Sequence, residues 1–202
     1  MKKVLLFLAT AVLANSQVTL NLSGPATVKQ GASVNLGVQS GGATANGPAG
    51  LQWTLTPPSG ITVTNAVVGA QATSVSKQIA CNASKLLCLV YGMNQNVIPN
   101  GQVGVLTVQI PSNATPGPAS FLLSGLVAGD KNGLVMTSSS GPVFTLTILS
   151  RADIDSNGTV DASDVSAMAG QVTGGTCVDD QNADGKCDIT DVLLVVLRAL
   201  GL

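Results

Sequence analysis

The chain has 202 residues, of which 45% are hydrophobic but only 9% charged and 2% aromatic, with a formal net charge of −1 and neither Glu nor His. Without an imidazole, Ser/His/Asp and Cys/His nucleophilic chemistry lacks its base. Without a basic patch, nucleic acid is not an expected partner.

At the N-terminus, Met1-Lys2-Lys3 is followed by the apolar run Val4–Ala14 and by Ala14-Asn15-Ser16 ahead of Gln17. A basic start, a short apolar stretch and a small-residue cleavage site predict a secretory signal peptide over 1–16. The run falls short of the about 20 residues needed to cross a bilayer. No cysteine follows it to take a lipid, and the other long apolar run, Val192–Leu200, is short and contains Arg198. The expected mature protein is secreted, extracellular or cell-surface associated, with no membrane span. Loss of Lys2 and Lys3 takes the net charge from −1 to −3 and leaves seven scattered basic residues.

Residues 17–149 are rich in Val, Thr, Ser, Gly, Asn and Ala, and their charges are Lys29, Lys77, Lys85, Asp130 and Lys131. Period-two alternation between turn signals predicts strands over 17–22, 26–38 (with a break at Gly31), 50–56, 61–69, 73–80, 86–92, 103–110, 119–128 and 142–149. About nine strands and no helical stretch predict a mainly β fold, a two-sheet antiparallel sandwich. About 130 residues suffice for one core. Trp53 shares strand parity with Leu51 and Leu55, and Phe144 with Leu146 and Ile148, so both are expected inside. Tyr91 is the aromatic expected outside.

Four cysteines allow three connectivities. In an exported chain the local pairs Cys81–Cys88 and Cys177–Cys187 are the economical choice, with buried free thiols as the alternative. A bridge over so short a segment as 177–187 contributes about 2–3 kcal/mol in the chain-entropy view. The sandwich's lone acid, Asp130, cannot supply the carboxylate pair of a glycosidase, and two cysteines alone are a poor zinc site. A binding or structural role is expected, not an enzyme.

The order of features here resembles a cohesin-type sandwich, a jelly roll related to cellulose-binding modules. The resemblance rests on Gly50-Leu51-Gln52-Trp53-Thr54-Leu55-Thr56-Pro57 followed by Gly60-Ile61-Thr62-Val63. It rests also on Leu86–Gly92, Gly104–Pro111 and Pro118–Ser124. It implies a jelly-roll fold and a protein-receptor role.

The last fifty residues carry the strongest pattern. Nine of the ten Asp lie between Asp153 and Asp191 and fall into two copies of one loop. The first is Asp153-Ile154-Asp155-Ser156-Asn157-Gly158-Thr159-Val160-Asp161-Ala162-Ser163-Asp164. The second is Asp180-Gln181-Asn182-Ala183-Asp184-Gly185-Lys186-Cys187-Asp188-Ile189-Thr190-Asp191. Each sets Asp or Asn at positions 1, 3, 5, 9 and 12 and Gly at 6, the spacing by which hard oxygens converge on Ca2+. Asp/Asn-rich surface turns are the bland alternative, yet six specified positions match by chance only about once in a million starts. Two Ca2+ ions are expected. Positions 1, 3 and 5 would give side-chain oxygens, position 7 (Thr159, Lys186) a backbone carbonyl, position 9 (Asp161, Asp188) a water-mediated contact and position 12 (Asp164, Asp191) a bidentate carboxylate.

A strand-like segment, Val143–Leu149, precedes the first loop, and Thr173–Cys177 before the second is too Gly-rich for a helix. Helices are predicted only on the exit side, from about Ala162 to Val172 and from about Ile189 to Leu200. Two loop–helix repeats with Asp at position 12 and no entering helix resemble a dockerin module over 153–202. The predicted order is thus signal peptide 1–16, cohesin-like sandwich 17–149 and dockerin-like module 150–202, with loops 153–164 and 180–191.

The dockerin resemblance implies a cohesin-type protein partner met through loop positions 10 and 11, here Ala162-Ser163 and Ile189-Thr190, and the following helix. The repeats are unlike, and a basic pair common later in dockerin helices is replaced by Ala169-Gly170 and Val196-Leu197. One binding orientation, led by Ile189 and the second helix, is therefore expected. The linker Ser150-Arg151-Ala152 spans about 10 Å, too short to carry the module round to a sheet face, so a second copy bound head-to-tail is a further candidate partner. The alternative function is a carbohydrate-binding accessory module tethered to an extracellular polysaccharide-degrading complex. Sugar faces, however, stack rings on several exposed aromatics.

Overall fold

The computed structural model describes residues 17–43, 46–82 and 86–202; the predicted signal peptide lies outside them. In chain order the strands are β1 (Val18–Ser23), β2 (Thr27–Lys29), β3 (Ser33–Gly41), β4 (Gly50–Thr56), β5 (Thr62–Val68), β6 (Gln78–Asn82), β7 (Leu87–Tyr91), β8 (Gly101–Gln109), β9 (Gly117–Gly129), β10 (Val135–Met136), β11 (Ser138–Ser140) and β12 (Phe144–Leu149). The helices are α1 (Ala70–Ser74), α2 (Ala162–Gly174) and α3 (Ile189–Ala199).

Two sheets face each other. One has the order β11-β1-β3-β8-β5; the other runs β2-β12-β9-β4-β7-β6, with β10 added beside β9. Alternate side chains of each strand point into the space between them, as the pleat requires. Leu51, Trp53 and Leu55 of β4 meet Leu36 and Val38 of β3, Leu106 and Val108 of β8, and Phe121 and Leu123 of β9 in one buried cluster. Trp53 is fully buried and Phe144 half-buried, as strand parity predicts, and Tyr91 is exposed as expected; Phe121 is fully buried beside Phe144.

The structure departs from the pattern of the sequence in four places. The segment 26–38 is two strands in different sheets: Gly31, at φ +80°, turns the chain from β2, beside β12, to β3, beside β1 and β8. The predicted strand 73–80 begins instead as the end of α1, and the pairing starts only at Gln78. Here Gly69 passes so close to β8 that a Cβ would lie 2.4 Å from the Gln102 carbonyl oxygen, and the helix drops Ala72 into the core. Two short strands, β10 and β11, were not predicted; three Ser residues give no apolar alternation to read. Finally, the sandwich is not wholly antiparallel, because β1 pairs parallel with β11 and β12 parallel with β2.

Beyond Leu149 the chain turns directly into a second, smaller core. Ala152, Met168 of α2 and Val195 of α3 are buried together, with Ile154, Val160, Val165, Val172, Cys187 and Val192 packed around them. α2 ends on Gly175 in the left-handed conformation, the usual helix stop. Among the described residues no helix is long and apolar enough to cross a membrane.

Candidate functional site

The two acidic loops fold alike, and their hydrogen bonds explain why each position holds the residue it does. In the first, Asp153 accepts from the amides of Asn157 (3.1 Å) and Gly158 (2.9 Å). In the second, Asp180 accepts from Ala183 (2.6 Å) and Gly185 (2.7 Å). Position 1 therefore clasps the turn that positions 4 to 6 make. That turn is left-handed twice in each loop, at Ser156 (φ 60°) and Gly158 (φ 98°), and at Ala183 (φ 60°) and Gly185 (φ 85°). Gly at position 6 takes that conformation without the Cβ penalty.

Positions 9 and 12 do a job that spacing alone did not reveal. Asp161 and Asp188 are helix N-caps, accepting from Ser163 (2.7 Å) and Thr190 (2.8 Å). Asp164 and Asp191 stand at the third helical position and reach back to the cap amides, each at 2.9 Å. Each loop thus ends in a reciprocal capping box that starts its helix. The Asp-x-x-Asp spacing was the available signal. The same two carboxylates also accept from the loop's start: Asp164 from Ile154 (2.7 Å) and Asp155 (3.2 Å), Asp191 from Gln181 (2.8 Å) and Asn182 (3.4 Å). Both are fully buried. Burial by itself raises the Asp191 carboxyl, but the amides of Asp188, Gln181 and Asn182 outweigh it and leave it below the usual carboxylate value. Asp161 is lowered chiefly by the Ser163 hydroxyl and amide.

The donor set fits a hard cation in the first loop. Asp153, Asp155 and Asp164 each place one carboxylate oxygen within 4.8 Å of the others. Oxygens that share one Ca2+ at 2.3–2.6 Å lie no more than about 5 Å apart, and a carboxylate oxygen that accepts one amide keeps a lone pair for a metal. Asn157 and Thr159 complete the loop, the Thr159 hydroxyl donating to Asn157 Oδ1 (2.7 Å). In the second loop Asn182 stands where the first has Asp155, and its amide nitrogen donates to Asp184 (2.9 Å). Asp184 in turn accepts from the Lys186 amide (2.9 Å). Among the described residues the three-carboxylate cluster forms in the first loop alone.

The expected partner-binding positions are all exposed but unequal. The Ser163 hydroxyl is turned into its own loop, donating to Asp155 and Asp161. Ile189 stands 75% exposed, with Leu193 one turn later at 55%. An apolar strip on α3 therefore faces out where α2 offers the small residues Ala162 and Ser166. Both disulfides form as the local pairs: Cys81–Cys88 joins directly opposed residues of β6 and β7, and Cys177–Cys187 straddles the start of the second loop.

A second surface lies on the sandwich. The outward positions of β6, β7, β4 and β9 hold no charged side chain. Ala80, Leu89, Gln52 and Val127 form one row across the four strands, and Tyr91 stands beside Gln78 in the next. Leu89, Tyr91, Leu122 and Val127 are each a little over 40% exposed. Sequence reading singled out Tyr91 but not its neighbours, which gather only when the strands pair. Asp130, the sandwich's single acid, is spent on a turn: it accepts from the amides of Asn132 and Leu134, which lower its carboxyl.

No protein-family profile matches the chain, and no curated protein matches it in sequence. Solved structures do match in shape. A chain of a type I cohesin–dockerin complex from Clostridium thermocellum superposes with a TM-score of 0.55 at 14% identity, over 68% of this chain and 96% of that one. The cohesin module of a family 33 glycoside hydrolase from Clostridium perfringens gives 0.56 at 8% identity, over 67% and 98%. A non-cellulosomal cohesin from the archaeon Archaeoglobus fulgidus gives 0.54 at 14%, over 67% and 93%. The sandwich has the cohesin fold.

Proposed function

We propose that this protein is a secreted, non-catalytic adaptor in an extracellular protein assembly, with a dockerin-like C-terminal module that two Ca2+ ions fold. The observation that carries this reading is the twice-repeated loop: the same clasp at position 1, the same left-handed positions 4 and 6, and the same Asp capping box at 9 and 12. In the absence of a cation the clustered carboxylates repel, and a core of three buried side chains offers little to oppose them. The metal would be held by Asp153, Asp155, Asn157, Thr159, Asp161 and Asp164, and by Asp180, Asn182, Asp184, Lys186, Asp188 and Asp191. Bound Ca2+ would supply charge neutralisation and fixed geometry, not chemistry.

Two surfaces are available for partners: the apolar strip of α3 led by Ile189 and Leu193, and the uncharged sheet face around Leu89 and Tyr91. Both exceed what isolated surface apolar residues need. The three residues between Leu149 and Asp153 keep the module beside the end of its own sandwich, so the two surfaces of one chain do not meet. A second copy joined head-to-tail is then a candidate partner, as is a separate cohesin-type protein. Light scattering of the mature protein across a concentration series, in Ca2+ and then in EDTA, tests this. Growth of mass with concentration in Ca2+, reversed by EDTA, supports the self-assembling form; a constant monomer mass leaves the separate partner. Polysaccharide binding stands second, because Trp53 and Phe121 are buried and Tyr91 alone among the described aromatics presents a ring. Calcium-independent retention on insoluble polysaccharide would favour it instead.

A further inference from the structure

Eight of the nine clustered Asp residues occupy loop positions; Asp179 does not, and it has another use. It forms the single ion pair among the described residues, and that pair joins the two modules: Lys29 Nζ, at the end of β2, lies 2.9 Å from Asp179 Oδ1. The same ammonium donates to the carbonyl of Ile154 (3.3 Å), position 2 of the first loop. Asp179 immediately precedes Asp180, position 1 of the second loop. Its other oxygen accepts from Gln171 Nε2 of α2 (2.8 Å), and the Gln171 side-chain oxygen accepts from the amides of Val178 and Asp179 (3.1 Å each). A single sandwich side chain therefore touches the entry of both loops and, through Asp179, the helix that leaves the first.

Neighbouring contacts run the same way. Arg151 donates from its guanidinium to the Asp180 carbonyl (2.6 Å) and from its backbone to Gln30 Oε1 (3.0 Å), while Gln181 Nε2 donates to the Arg151 carbonyl (3.1 Å). The side chains of Lys29 and Asp179 are 26% and 14% exposed, so solvent screens the pair only partly.

We propose that Lys29 is a positioning residue that ties cation occupancy of both acidic loops to the seating of the C-terminal module on the sandwich. This rests on the calcium reading above. The reason is geometric: a loop closes on a cation only if its entering backbone is placed, and Lys29 places Ile154 and Asp179 at once. By linkage, whatever the seated module contributes to cation binding, cation binding returns to the seating.

The test is a calorimetric Ca2+ titration of the full mature chain with Lys29→Met, Lys29→Arg, Asp179→Asn and the double variant Lys29→Met/Asp179→Asn. Sandwich integrity is followed by Trp53 fluorescence. Wild type should take up two ions. Lys29→Met and Asp179→Asn should each weaken uptake roughly five- to tenfold, the low end of typical coupling between sites. Lys29→Arg should recover most of the affinity, and the double variant should lose little more than either single change. Hydrogen exchange at the Gln30 amide, which donates to the Leu149 carbonyl at the junction, should slow with Ca2+ in wild type but not in Lys29→Met. Wild-type affinity in Lys29→Met with two ions bound would overturn the tie alone. A wild-type chain that takes up no Ca2+ would overturn both the tie and the calcium reading.

Discussion

Among the described residues the core cluster of the sandwich holds 23 buried hydrophobic side chains, and that of the C-terminal module three. The difference decides what each can rest on. A core of that size offsets the chain entropy of about 130 residues, so the sandwich can spend its strands on uncharged, even apolar, outer faces. The module has fewer than half as many residues and no such core. Its order is carried by carboxylates that accept backbone amides, by capping boxes, by the Cys177–Cys187 bridge and, on the reading proposed here, by two cations. One region is held by what it hides from water, the other by what its polar atoms bond to. The two should therefore fail under different treatments.

Cation removal should separate them most sharply. In EDTA the far-ultraviolet helical signal of α2 and α3 should fall away while Trp53 fluorescence stays native. A helical signal that persists in EDTA even after the disulfides are reduced would contradict metal-dependent folding of the module. The converse treatment is Trp53→Ala, which opens a cavity in the sandwich and should cost about 3–5 kcal/mol in denaturant unfolding. Ca2+ uptake by the module should be untouched.

Asp164→Ala strikes the module alone. It orphans the amides of Ile154, Asp155 and Asp161 around a fully buried position, and should cost about 3 kcal/mol. It should also remove one ion from the calorimetric stoichiometry. Paired Cys177→Ser and Cys187→Ser changes should cost somewhat less, about 2–3 kcal/mol. Their effect should appear in the thermal unfolding of the module and leave the sandwich transition in place.

The smallest effect concerns Lys77, which is 3% exposed and donates to the Asn94 carbonyl (2.9 Å) in the sandwich. Burial lowers its ammonium below the ordinary value of 10.5. The unfolded chain then binds this proton more tightly than the folded one, so sandwich stability should rise with pH between the lowered folded value and 10.5. Below that window the burial cost is fully present. Denaturant midpoints measured across it should show the rise in wild type and not in Lys77→Met.

What the sequence determined by itself is what depends on near neighbours in the chain. The loop carboxylates of Asp153, Asp164, Asp180 and Asp191 find their amide donors within ten positions, so spacing alone pointed to two like loops and to the exit helices. Strand parity placed Trp53 and Phe144 inside, because the pleat alternates every residue whatever the strand's partner. Short separation likewise pointed to the two disulfide pairs. Tertiary structure decided whatever brings distant segments together. Gly31 divides 26–38 between two sheets, and β12, which claims β2, and β8, which claims β3 beside β1, lie far along the chain. α1 takes the start of the predicted strand 73–80, next to the point where Gly69 passes close to β8. β11 has no pattern of its own and pairs only because β1 offers it an edge. Lys29 and Asp179 stand 150 residues apart, and the apolar sheet face collects Leu89 and Val127 from separate strands. No local spacing encodes such neighbours, since they meet only when the packing of the whole chain closes the distance.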